Sequence, residues 1–422
     1  MTERPFQHIV RVRATDDLQY VNPDVMDEVT INANQLENDI ESAAVTLWRT
    51  TLPFTVDPVL WRFQVPEWWR NEKGATKRNY ARLGAWYTRS TRIPIGSVPL
   101  VHAVEDARDW RALAANAVDY QSSRLLSVPT HLTLFEDNVP VRDLHPARII
   151  APALVAFTPR EDGINSVLFE AATSALGAPL AAQVIIPPAR LLGPESIEDL
   201  LASVAEDNVT SYMLWTPQIT EELLLGEQAI FTRVLALVAG LAERGVPVIH
   251  QHGNYAIAAL RDAGLLAMTN HLGWVDHGEP AQQTSFARRS CRTYVPGVRH
   301  SMKFERANEA GRHLDRDDYA DRYCGCRFCL GVFDELGEHP LDLLLEEHTV
   351  VDKRNRSYRT PTGRAVTANT FHYLWSRHLE IRAFAKEPSF DVVSRDLERA
   401  GRLFDGEDVS GLRHLADHLR SA

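Results

Sequence analysis

Cys324, Cys326 and Cys329 fall within the stretch YCGCRFC, in a chain of 422 residues with four cysteines in all. Three thiolates at CxCxxC spacing can converge on one soft cation, and a tetrahedral site then takes a fourth ligand from further along the chain. A redox pair would need two of the three. Structural zinc in a Cys3His set is the favoured reading, with an iron–sulfur cluster as its rival. The remaining thiol, Cys291, reads as packing.

Other chemistry-bearing residues follow short apolar segments. Asp57 and Gln64 follow LPFTV, and Trp215 and Gln218 end VTSYMLWTPQ. His250, Gln251, His252 and Gly253 end VPVIHQHG, while Asn270, His271, Trp274 and Asp276 close the next segment. Amides that read donors and acceptors, beside an indole that can stack, suit a flat hydrogen-bonding heterocycle. Asp57 and Asp276 can divide nucleophile and proton-transfer roles if they share one rim. A different chemistry is also open: His250 and His252 alternate on one strand face, and with His271 they make a ligand set for a metal-dependent hydrolase.

The elements that must position these residues are eight apolar segments: 52–58, 93–103, 147–157, 179–188, 209–218, 246–253, 265–274 and 292–298. Helical or long connections separate them. Near-continuous apolar strands joined by helices indicate a parallel sheet covered on both faces. Eight units predict an α/β fold of the (β/α)8 TIM type, with the chemistry at the C-terminal ends of the strands. A doubly wound open sheet is the alternative, but no glycine-rich phosphate loop follows the first segment. The expected division is an N-terminal cap over 1–48, a catalytic barrel over 49–305, and a zinc-binding subdomain with C-terminal helices over 306–422.

Composition narrows the setting. The hydrophobic fraction is 45% and the charged fraction 24%, ordinary for a globular chain. No run reaches the roughly 18 apolar residues of a membrane span, and the first residues hold no signal-peptide core. Sparse cysteine points to a reducing, cytoplasmic setting. A net charge of −11 argues against wholesale nucleic-acid binding. One local basic stretch runs through 286–306, where Arg288, Arg289, Arg292, Arg299, His300, Lys303 and Arg306 face a single acid, Glu305.

A CxCxxC group after a (β/α)8 barrel, with a later helical histidine, resembles the tRNA-guanine transglycosylases and their DNA-acting 7-deazaguanine relatives. TVDPVLWRFQ keeps the Asp and Phe-Gln of that family's general-base loop, and HQHGNYAIAALRDAG resembles its base-reading strand. GWVDHGEP resembles its Gly-Glu-Pro loop. TANTFHYLWSRHLEIRAF resembles the helix that opens with the fourth zinc ligand, favouring His372 over His348 and His339. The resemblance implies an aspartyl glycosyl-enzyme intermediate, with Asp276 in the nucleophile's place and Asp57 as acid/base. It implies base or substrate contacts from Gln64, Trp215, Gln218, Gln251, His252, Gly253, Asn270, His271 and Trp274. Zinc would be structural, and the partners would be a nucleic acid and a 7-deazaguanine such as preQ0. A homodimer, or accessory DNA-modification proteins, would follow by the same analogy. The general-base loop lacks the family's Gly-Gly, and its Phe-Asp-Cys motif has no clean counterpart here. These departures favour the divergent, DNA-acting branch over a tRNA enzyme. They also feed a competing reading, a catalytically inactive barrel that binds nucleic acid or a partner protein.

Overall fold

The computed structural model describes residues 5–12, 14–91, 93, 99–104, 106–128, 144–272, 291–351 and 355–421. Seven parallel strands form its centre: β1 (Gln7–Val12), β2 (Glu28–Asn32), β3 (Phe54–Asp57), β4 (Ala181–Ile185), β5 (Ser211–Trp215), β6 (Val248–His250) and β7 (Leu265–His271). Their spatial order is β3-β2-β1-β7-β6-β5-β4, so the first strand lies beside the last. Gln7 pairs with Ala267 and Arg11 with His271, while Asn32 pairs with Asp57. The sheet is curled. A short segment around 147–151 touches both of its edges, with Thr55 bridged to Arg148 and Ile150 to Ala181. Ala147 N–H donates to Phe54 at 2.7 Å, and Ala181 N–H to Ile149 at 2.9 Å.

The strands form because both faces are covered, so apolar residues need not alternate with polar ones. Every residue of SYMLW in β5 is buried. Ile9, Ile150, Ala181, Met213, Ile249 and Ala267 form one small inner cluster on the concave side. The convex side packs on helices whose ends are clearly signalled. Pro159–Leu176, for example, opens on Thr158 with a Glu161 capping box and ends at Gly177, whose φ is 69°.

Three expectations about strands are corrected. Residues 7–12 and 28–32, expected within a cap, are the interior strands β1 and β2 of the sheet. His8, Arg11, Glu28, Thr30 and Asn32 make these segments look superficial, yet all five are buried. Several satisfy one another inside the curl; Glu28 accepts from Arg148 at 2.7 Å and from Thr55 at 2.6 Å. Residues 292–298 do not join the sheet. Strand β8 (Arg292–Val295) turns back on β9 (His300–Lys303) as an antiparallel hairpin, with Arg299 at φ 61° in the turn. Within 93–103, Leu100–Ala103 is a helical turn and 94–98 lie outside the described residues.

The remaining chain adds the hairpin of β10 (Glu347–Val351) and β11 (Ser357–Pro361), then the helices Gly363–Lys386, Ser389–Ala400 and Ser410–Ser421. A buried ionic network ties these helices to the sheet. Arg299 meets Glu380 at 2.9 Å and Asp396 at 2.7 Å, and Arg377 meets Glu380 at 2.8 Å. Tyr255, just beyond β6, donates to Asp396 at 2.5 Å. Among the described residues, no helix is long and apolar enough to cross a membrane.

Candidate metal centre and candidate active site

Cys324, Cys326, Cys329 and His372 are all buried, and their ligand atoms lie within 4.8 Å of one another. The local chain explains the three sulfurs. Cys326 caps the short helix Arg327–Gly331 and accepts from the Cys329 N–H at 3.5 Å, while Cys324 accepts from the Cys326 N–H at 3.4 Å. His372 comes from the helix Gly363–Lys386. Its Nδ1 lies 3.8, 3.5 and 3.2 Å from the sulfurs of Cys324, Cys326 and Cys329. A tetrahedral ion with ordinary metal–sulfur and metal–nitrogen bonds has S···N edges of about 3.5 Å. Nε2 lies 2.8 Å from the carbonyl of Tyr294, so its N–H donates there and Nδ1 is left with a lone pair for a cation.

The donor set therefore fits a metal ion. Burial raises all three thiols. Cys326 and Cys329 end up above their ordinary range, whereas hydrogen bonds from Cys326 and Cys329 outweigh burial in Cys324 and lower it. A cation stabilises all three as thiolates. The other candidates lie elsewhere: His348 is exposed on β10, and His339 packs edge-on to Tyr319 at 5.3 Å. Cys291 stands apart, its thiol pushed up to about 11 by burial and by Glu347.

At the C-terminal strand ends, Asp57 closes β3 and is buried. Its Oδ2 accepts from Arg11 Nη1 at 2.7 Å, and the same Nη1 reaches Asn32 at 2.5 Å. Its Oδ1 accepts from the Val59 N–H at 2.9 Å and from Gln183 Nε2 at 3.4 Å. Gln183 also donates to Gln251 at 3.0 Å. Asn32, Arg11, Asp57, Gln183 and Gln251 thus form one hydrogen-bonded chain across the mouth of the sheet. Arg11 and Gln183 were not anticipated. Each had a readable signal: a long polar side chain inside an apolar strand, two positions from the inward-facing Ile9 and Ala181 respectively.

Beside this chain runs a file of rings. Trp61 and Trp215 lie 4.6 Å apart, Trp215 and His252 4.8 Å, and His252 and His271 4.7 Å. His252 Nδ1 and His271 Nε2 are 2.7 Å apart. Burial holds His252 well below its ordinary range, and the nearby Arg11 charge adds to this. Burial also pushes His250 down to about 4. Both are neutral imidazoles near pH 7. His250 faces Thr216 at 3.4 Å. Among the described residues, only the Cys3His group brings three or more His, Cys, Asp or Glu ligands within metal-binding distance, so the set His250, His252 and His271 does not assemble as one.

The other expected residues are scattered. Gln64 is committed to the backbone of Val155, donating to its carbonyl at 3.2 Å and accepting its N–H at 2.6 Å. Asn270 donates to the Gly253 carbonyl at 2.8 Å. A Cβ at Gly253 would come within 2.7 Å of the Met268 side chain, so glycine is what lets the turn after β6 approach β7. Gln218 is exposed, with φ 66°, in the turn after β5. Trp274 and Asp276 lie outside the described residues. Asp57 and the end of β7 are separated by two strands, β1 and β2, whereas a barrel of the eight segments read from sequence would leave only 292–298 between them.

No protein-family model matches the chain, and no curated protein matches it in sequence. Among solved structures, xylanase B from Clostridium stercorarium F9 is similar over 63% of this chain and 86% of its own, at 10% identity and a TM-score of 0.31. At that level of likeness the fold is read from strand order alone.

Proposed function

We propose that the protein is a transglycosylase on a closed (β/α)8 barrel, with 147–151 as the eighth strand and zinc at the Cys3His group. It exchanges guanine in a polynucleotide, DNA in preference to tRNA, for a 7-deazaguanine such as preQ0. One observation carries the reading: a buried aspartate, Asp57, linked to two glutamine amides at the C-terminal strand ends, in a chain that also builds a Cys3His group.

The chemistry assigned to these residues is displacement at C1′. A carboxylate oxygen of Asp276 bonds to C1′ as the bond to guanine N9 breaks, and guanine takes up a proton. The incoming base loses its N9 proton, attacks C1′ and releases the carboxylate. Asp57 gives the departing guanine its proton and takes one back from the N9–H of the incoming base, because the nucleophile is esterified when the second base must be deprotonated. The target nucleotide must be flipped from the stack to reach strand ends this deeply set. Zinc, when bound, supplies cross-linking rather than catalysis: the four ligands join the CxCxxC turn to the helix Gly363–Lys386.

A second reading, the inactive binding barrel, is favoured by the Arg11–Asp57 contact, which occupies one carboxylate oxygen. One experiment separates the two. Nucleosides from DNA and from tRNA of cells with and without the protein are resolved by mass spectrometry. The transglycosylase reading expects a 7-deazaguanine nucleoside in one polymer only when the protein is present. Its absence from both polymers, with preQ0 supplied, removes that reading.

A further inference from the structure

The least expected feature of the strand ends is an arginine with half of its guanidinium unused. Arg11 is 1% exposed, and its Nη1 serves Asn32 and Asp57. Among the described residues, its Nε and Nη2 meet no hydrogen-bond partner. In a guanidinium, the Nε–H and one Nη2–H point the same way, forming the side-on fork that takes two acceptors at once. Nearby, and again among the described residues, Gln251 Nε2 and Trp215 Nε1 are buried donors without partners, against the two unpartnered acceptors Gln183 Oε1 and Asn270 Oδ1. Buried polar atoms are almost always paired, so several orphans in one hydrogen-bonded chain mark the place of a ligand.

The unused groups also define that ligand. Donors outnumber acceptors, so its facing edge carries acceptors. The Arg11 charge is already balanced by Asp57, so a neutral ligand fits better than an anion. We propose, resting on the transglycosylase reading, that Arg11 is the specificity-determining residue of the base site. Its free fork receives the O6 edge of the base together with the neighbouring acceptor. In guanine that neighbour is N7, and O6 with N7 is the pair arginine reads bidentately. In a 7-cyano-7-deazaguanine it is the nitrile nitrogen. A 7-aminomethyl group sets a cation against the fork, and adenine sets its N6 amino donor there. Both are excluded.

The test uses the full-length, zinc-loaded protein and isothermal calorimetry with four free bases: guanine, 7-cyano-7-deazaguanine, 7-aminomethyl-7-deazaguanine and adenine. The expected result is binding of the first two, with the 7-cyano base preferred over the 7-aminomethyl base by about ten-fold or more, the least a good bidentate contact provides. R11K keeps a cation beside Asp57 but lacks the fork, so that preference should shrink to about two-fold or less. R11Q, a neutral replacement able to bond Asp57, serves as the second variant if circular dichroism shows R11K misfolded. If the wild-type protein binds the bases without preference, or either folded variant keeps the preference, Arg11 does not set specificity and the transglycosylase reading stands. If none of the four bases binds the wild-type protein, both fall together.

Discussion

Arg11 and His250 show how burial changes what a residue type means. His250 is held neutral inside the sheet, with its protonation pushed down to about 4 from an ordinary 6.5. His8 is pushed to about 4 as well, again chiefly by burial. Between pH 6.5 and 4 the unfolded chain binds protons at these sites and the folded chain does not, so stability falls as pH falls through that window. The displacement at His250 corresponds to about 3 kcal/mol. Urea unfolding at a series of pH values should therefore show stability dropping from pH 7 toward pH 4, with a shallower drop in His250→Gln. Equal slopes in the two proteins would mean that His250 is not a buried neutral group. At this scale, legibility depended on whether the signal was local. The three cysteines were legible because their meaning lies in spacing along the chain. Gln251 and Asp57 stood at readable strand ends. Arg11 and Gln183 were not read, because a charge or an amide within an apolar run resembles a surface position until its partners across the sheet are known.

At the scale of elements, the Cys3His group is a junction. One nitrogen of His372 faces the sulfurs and the other bonds the Tyr294 carbonyl in β8, so the CxCxxC turn, the helix Gly363–Lys386 and the β8–β9 hairpin meet there. Removing the ion should loosen all three while sparing β4 to β6. The expected result is one zinc per chain by elemental analysis. Chelation, or Cys326→Ser, should then accelerate amide exchange in 363–386 and 292–303 by orders of magnitude, with 181–215 little changed. Iron with visible charge-transfer absorption would instead identify the rival cluster. The elements also show where pattern reading stops. RTYV is β-branched and aromatic as a barrel strand would be, and only its antiparallel partner at 300–303, a few residues on, makes it a hairpin. Conversely, QHIVRV and EVTIN did not stand out because the inside of this sheet is partly polar, as the Glu28–Arg148 and Arg11–Asp57 contacts show.

Taken as a whole, the molecule sets β1 and β2 between β3 and β7, the strands that lead to the two candidate carboxylates in sequence. Asp57 ends β3, and Asp276 follows β7 in sequence. That separation gives the division of labour a direct test. With a polynucleotide and preQ0, Asp276→Asn should abolish the covalent protein–polynucleotide adduct resolved on denaturing gels. Asp57→Asn should still form the adduct but turn over at least about a hundred-fold more slowly, the loss expected without proton transfer. An adduct that persists in Asp276→Asn would make another carboxylate the nucleophile.

The adjacency of β1 and β7 has a further consequence, for how the chain is made. Gln7 through Arg11 find their partners at Ala267 through His271, so on the ribosome the first strand emerges long before its neighbour exists. Until then, one flank of β1 and one flank of β6 are open hydrogen-bonding edges, the kind that recruits other chains. Such distant pairing also closes slowly. A translation product halted before residue 265 is therefore a sticky half-sheet rather than a smaller stable protein, and emergence of β7 is the moment at which this hazard ends.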